Sequence, residues 1–197
     1  ADLRAILAEV AGLHGRGLLD FAYLPGDLAE DGRAEQYALL RAALDAHPDL
    51  PVRLIAGDHD RQHGTMTDFD ALFAAIAGSR RGGGHAARRH DLPRPRDPAP
   101  VTQSYYAETI AGVRCLFLDM ISAGYGEKGF GLDFRLGPCQ LAWLGEELAQ
   151  ADRQGLPCAV FAHTYPDDLC VPGEREALAG LIRHHGVRLV EMGHTHY

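Results

Sequence analysis

The sequence predicts an α/β fold, a central sheet with helices packed on it. Two observations point there. Helix-like and strand-like stretches alternate along the 197 residues. The apolar strand-like runs end at Gly, Pro or His, the residues that close a strand and open a loop. Residues 2–13 carry Leu3, Ile6, Leu7 and Val10 at three- and four-residue spacing, the period of an amphipathic helix. Phe21 to Leu24 is a short strand stopped by Pro25-Gly26. Residues 33–46 return to the helical pattern with Tyr37, Leu40 and Leu44, and Pro51 to Ala56 reads as a buried strand ending at Gly57. Residues 67–77 form a predicted helix with Thr67 as its N-cap.

Residues 78–100 break the rhythm. They are rich in Gly, Arg and Pro and are expected to form a flexible loop. Strands follow over 101–109 and 113–119, joined in a hairpin at Ala111-Gly112. A Gly-rich loop (Gly124, Gly126, Gly129, Gly131) leads to a helix over 138–151, with Trp143 expected in the core. A strand over 157–162 ends at His163, a helix covers 173–185, and the strand Val187 to Met192 runs into Gly193-His194-Thr195-His196. No internal repeat is visible, and residues 1–197 read as a single domain.

Composition narrows the function classes. A hydrophobic content of 46% and a charged content of 23% are those of an ordinary globular protein. The net charge of −8 disfavours nucleic acid as a partner, because a phosphate backbone wants a basic surface. Neither a membrane span nor a signal peptide is expected. Cys115, Cys139, Cys158 and Cys170 are dispersed with no C-x-x-C pair, and Cys115 and Cys158 sit in apolar runs as buried free thiols, which suits a cytoplasmic protein. Arg80, Arg81, Arg88, Arg89, Arg94 and Arg96 are read as a solvated basic stretch. His184 and His185 end a helix, where cations suit the dipole.

The chemistry-bearing residues come in a telling order. Gly26-Asp27, then Gly57-Asp58-His59-Asp60, then His163, then Gly193-His194-Thr195-His196 each follow an apolar run. A Gly-Asp after a strand is by itself a common turn, and a lone histidine is more often packed than ligating. Two histidines spaced i, i+2 on an extended segment keep both side chains on one side. Oxygen and imidazole ligands gathered in order at strand ends are what a dinuclear metal hydrolase needs. His63 lies near the Gly57–Asp60 loop and is read as a surface residue before a substrate contact, and Tyr165 and Tyr197, which flank His163 and His196, either line the pocket or pack.

With these motifs the chain resembles the calcineurin-like metallophosphoesterases, nearest their class III cyclic-nucleotide phosphodiesterase branch. That family's signature runs D-x-H, G-D, G-N-H-D/E, H, G-H-x-H, and its last four elements match the four fragments above. The resemblance implies a sandwich of two mixed β-sheets flanked by helices, two divalent metal ions (Mn, Fe or Zn) and hydrolysis of a small phosphoester. It implies one metal held by Asp27, Asp58, His163 and His194, and a second that shares Asp27 and uses His196 with the D-x-H pair. No D-x-H stands before Gly26; the one such string, Asp45-Ala46-His47, has the wrong order and place. Both ends of the domain are therefore expected to be cut or unresolved, with one metal bound well and the second poorly.

Asp58 replaces the family's Asn. A carboxylate donates more charge than an amide oxygen, so the cation becomes a weaker Lewis acid and the pH optimum should rise. The resemblance implies in-line attack by a hydroxide bridging the two metals. His59 then stabilises charge or protonates the leaving oxygen, and Asp60 either orients His59 or shapes the turn. Three readings stay open: a phosphodiesterase, a catalytically impaired metal-binding or scaffold module of the same fold, and a phosphomonoesterase or nuclease. Oligomeric state does not follow from the sequence.

Overall fold

The computed structural model describes residues 2–61, 67–77, 88–94, 97–126 and 129–194, with side chains described outside 88–102 and 122–132. In chain order the elements are α1 (Leu3–Gly15), β1 (Ala22–Leu24), α2 (Ala34–Asp45), β2 (Val52–Leu54), α3 (Thr67–Ala77), β3 (Arg88–Arg94), β4 (Asp97–Ile110), β5 (Val113–Phe117), β6 (Ile121–Gly126), β7 (Gly129–Phe134), α4 (Gly137–Gln154), β8 (Cys158–Ala162), α5 (Pro172–His184) and β9 (Leu189–Met192). A one-turn 3-10 helix, His59–Arg61, follows β2.

Strands β1 and β2 pair in parallel. A five-stranded mixed sheet runs β3-β4-β5-β8-β9, antiparallel on its β3-β4-β5 side and parallel across β5-β8-β9. Strands β6 and β7 form a separate hairpin.

Period-two alternation decides which side chains meet. From β5 and β8, Cys115, Phe117, Ala159 and Phe161 face one way and join Ile55, Phe21 and Tyr23 in a single apolar layer. Their neighbours Leu116, Leu118, Val160 and Ala162 face the other way, onto Trp143, Leu144 and Leu148 of α4 and Leu178 of α5. On the outer side of the β1-β2 pair, Val52 and Leu54 pack against Leu7, Tyr37, Leu40 and Leu44 of α1 and α2, and Phe69 and Leu72 of α3. The result is helix, sheet, sheet, helix.

The contact between the sheets is aromatic: Tyr23 lies 4.9 Å from Phe161 and Phe117 stacks 4.8 Å from Phe161, centroid to centroid. Such pairs add about 0.5–1.5 kcal/mol each beyond their buried area. Polar ties accompany them. The Tyr106 hydroxyl donates to the Leu54 carbonyl (2.9 Å) and accepts from the Leu54 N–H (3.2 Å), and Arg53 makes a two-pronged ion pair with Glu108 of β4.

Three sequence expectations are corrected. The segment 78–100 is not loop throughout, because Arg88–Arg94 and Asp97–Pro100 are strand, paired in register with Pro93 opposite Pro100. Proline lacks the ladder donor, but β3 is the last strand of its sheet, where that loss is tolerated. The Gly-rich loop is the β6-β7 hairpin, with Gly124 opposite Gly131 and Gly126 opposite Gly129. In both places composition pointed to loop, and pairing with a neighbouring strand overrode it. The hairpin at Ala111-Gly112 turns through two residues of positive φ, 47° and 82°. Thr67 is the first residue of α3 rather than its cap. Among the described residues no helix is long and apolar enough to cross a membrane.

Candidate metal centre

Four strands deliver four residues to one place. Asp27 follows β1, Asp58 follows β2, His163 follows β8 and His194 follows β9, each just past the C-terminal end of a strand with a parallel neighbour. This is where open α/β sheets gather ligands. One donor atom from each lies within 4.8 Å of all the others. His163 Nε2 is 2.9 Å from Asp58 Oδ1 and 3.4 Å from Asp27 Oδ1. His194 Nδ1 is 3.0 Å from Asp58 Oδ1 and 3.3 Å from His163 Nε2.

The backbone is bent to make this possible. Asp27 and His194 both adopt the left-handed region, with φ of 52° and 69°. Strain of this kind persists where surrounding structure over-determines it, and it clusters at functional sites. Gly57 permits the closest approach. A Cβ there would overlap the Oδ1 and backbone N of Asp27 and stand 2.8 Å from His163 Cε1.

Orientation comes from the shell behind the ligands. His163 Nδ1 donates to the Pro25 carbonyl at 2.6 Å, which aims Nε2 at the cluster. The Gly193 N–H donates to the His163 carbonyl at 3.0 Å, tying β9's end to β8's. Phe134 and His194 meet in a T-shaped contact with ring centroids 5.2 Å apart. The Tyr23 hydroxyl reaches the carbonyl of Ala162, the residue before His163.

The electrostatics suit a cation. Burial pushes the His163 imidazole pKa down, but the hydrogen bond to Asp58, the charge of Asp27 and the Pro25 carbonyl outweigh it and raise it. Burial likewise pushes Asp58 up, and the bond and charge of His163 with the charge of His194 bring it below the ordinary carboxylate range. The cluster thus favours positive charge at its centre. Two carboxylate oxygens and two imidazole nitrogens are a fitting donor set for a divalent ion.

His59 and Asp60 have different settings. The His59 N–H donates to Asp27 Oδ1 at 3.0 Å, and its Nδ1 donates to the Glu30 carbonyl at 2.6 Å, leaving proton exchange to Nε2. The Glu30 carbonyl raises the His59 pKa, burial opposes it, and the charges of Asp27 and Asp58 add to the rise. Asp60 does not orient His59. Its carboxylate, 1% exposed, accepts from the N–H groups of Leu28, Ala29 and Gly57 and from the Tyr37 hydroxyl. The turn role is therefore the one its geometry fills, and it joins the Asp27 loop to the Asp58 loop.

His196, with His63 and Tyr197, lies outside the described residues. Tyr165 is 40% exposed beside His163. Asp45-Ala46-His47 closes α2 and is not in the cluster. Sequence reasoning missed Tyr37 as a site-supporting residue, reading it only as part of a helical face. It also missed the carbonyls of Pro25 and Glu30, which side-chain motifs do not reveal.

Comparison with known proteins agrees with this geometry. The family model for calcineurin-like phosphoesterases matches residues 1–197. Among solved structures, a dimetal phosphatase from Danio rerio is similar at 16% identity with a TM-score of 0.56, covering 96% of this chain and 70% of that one. No protein of curated function matches. With the family matched along the whole chain and four side chains that could hold a metal gathered at the strand ends, the chain belongs to the calcineurin-like phosphoesterases and is a metal-dependent hydrolase of phosphoric esters.

Proposed function

We propose that the protein is a phosphodiesterase acting on a small phosphodiester, a cyclic nucleotide or a comparable compound. The convergence of Asp27, Asp58, His163 and His194 donor atoms within 4.8 Å carries the reading. When bound there, a divalent ion neutralises phosphoryl oxygens and lowers the pKa of water. Mn, Fe and Zn all accept this donor set. The second metal position of the family would use Asp27 again together with His196.

The chain's own groups do the rest. His59, raised in pKa and held through Nδ1, is suited to take up a proton at Nε2 and pass it to a leaving oxygen. The diester preference is supported by charge. Arg61, the cation nearest the ligand loop in sequence, is turned into the core against Asp119 rather than toward the cluster. A site that among the described residues draws its positive charge from metal and imidazole matches the single charge of a diester better than the double charge of a monoester. Four free cysteines suit a reducing compartment such as the cytoplasm.

The test is metal stoichiometry by elemental analysis after reconstitution with Mn²⁺ or Zn²⁺, followed by turnover of bis-p-nitrophenyl phosphate and p-nitrophenyl phosphate. Bound metal with faster diester turnover is expected. Faster monoester turnover would make it a phosphatase, and bound metal with no turnover would make it a binding module.

A further inference from the structure

Arg61 and Asp119 form an ion pair in the core, Nη2 to Oδ2 at 2.5 Å, with side chains 1% and 0% exposed. Burying two charges is expensive, and a pair of apolar side chains would serve stability as well or better. Its place in the fold suggests what the pair secures instead. Arg61 ends the one-turn helix that starts at His59, and its N–H closes that turn on the Asp58 carbonyl at 3.0 Å. Asp119 lies just past β5 and is held on every side. Its Oδ2 also accepts from the Ser104 N–H (2.8 Å), and its Oδ1 accepts from the Ile121 N–H (3.2 Å). Its own N–H donates to Gln140 Oε1 (2.9 Å), and its carbonyl accepts from Gln140 Nε2 (2.8 Å) and Gln103 Nε2 (2.9 Å).

From this we infer that the Arg61–Asp119 pair is a positioning device for the reaction. It locks the Asp58–His59 turn, which belongs to the β1-β2 side of the sandwich, to the end of β5 in the five-stranded sheet, the sheet that delivers His163 and His194. The ligands come from two sheets joined mainly by side chains, so some tie must set their separation. A guanidinium held by a charge-assisted hydrogen bond to a fixed carboxylate sets a separation more tightly than an apolar contact. Neither residue is one of the four that make up the cluster.

This inference rests on the phosphodiesterase reading only for its activity readout. The experiment compares the Mn²⁺-loaded wild type with an Arg61→Met/Asp119→Leu double variant and with Arg61→Lys. Melting temperature, kcat and KM for bis-p-nitrophenyl phosphate, and amide exchange at His59 and Arg61 are measured on each. The double variant should melt at or above the wild type. Its kcat should fall at least about 10-fold with KM changed less than about threefold, because displacement of a reacting group costs rate steeply. Exchange at both amides should quicken by about 10-fold or more, and Arg61→Lys should recover part of both losses.

A double variant that folds with wild-type kcat and wild-type exchange overturns the inference. If it does not fold, Arg61→Lys decides, and wild-type kcat and exchange in that variant overturn it equally. If the wild type itself turns over no diester, the phosphodiesterase reading fails, and amide exchange alone decides the role of the pair.

Discussion

The Tyr37 hydroxyl donates a 2.8 Å hydrogen bond to Asp60 Oδ1, although α2 and the His59–Arg61 turn lie on opposite sides of β2 in the chain. With the N–H groups of Leu28, Ala29 and Gly57, it completes the set of donors around a buried carboxylate. Removing one such donor costs about 1.5–3 kcal/mol, the scale for a hydrogen bond to a charged group. Tyr37→Phe is therefore expected to lose that much stability in urea denaturation. An unchanged midpoint would show that water or the backbone donors replace the hydroxyl.

Gly57 is the position where the two carboxylate loops touch. A methyl group there would overlap Asp27, so Gly57→Ala must push the loops apart. Titration calorimetry with Mn²⁺ or Zn²⁺ should show affinity weakened about 10–100-fold, the range seen when ligand orientation is disturbed. The circular dichroism spectrum should be unaltered. Wild-type affinity would mean that the loops separate without cost.

With its Nδ1 held by the Glu30 carbonyl, His59 is proposed as a proton donor rather than a ligand. His59→Ala should lower turnover of bis-p-nitrophenyl phosphate by about 10²-fold with metal content intact. Loss of metal in that variant would make His59 a ligand.

Asp58 places a full negative charge where its family uses an amide. Asp58→Asn should bind metal more weakly and move the pH optimum down, because a less neutralised cation acidifies water more. A pH-rate profile identical to the wild type's would remove that role from the carboxylate charge.

Burial pushes the Cys115 thiol up to about 11, with the charge of Glu108 adding to it, and burial with the charge of Asp152 raises Cys158. The thiolate is the reactive form, so both thiols should be silent at pH 8. A thiol titration of the native protein is expected to count Cys139 and Cys170, which are exposed, and to count all four cysteines only in denaturant. The sign for stability follows. The folded state keeps a proton on Cys115 that the unfolded state loses first, so stability falls as pH rises through the ordinary thiol value of 9.0 toward about 11.

Local pattern determined much of this protein. The three- and four-residue spacing of Leu3, Ile6, Leu7 and Val10, and of Tyr37, Leu40 and Leu44, placed α1 and α2 within a residue or two, although in α1 only Leu7 is buried and Leu3 and Ile6 stay exposed. The ordered fragments around Asp27, Asp58, His163 and His194 named the cluster, because each ligand sits beside the glycine or at the strand end that lets it turn inward. Tertiary structure decided the rest. Pro93 and Pro100 stand in paired strands because a neighbouring strand was there to receive them, which composition does not record. Donors to the Asp60 carboxylate come from Leu28, Ala29 and Tyr37, 23 to 32 residues away, and the partner of Arg61 lies 58 residues on. A carboxylate's duty depends on which donors folding brings to it, and long-range pairing leaves no period for a single sequence to show.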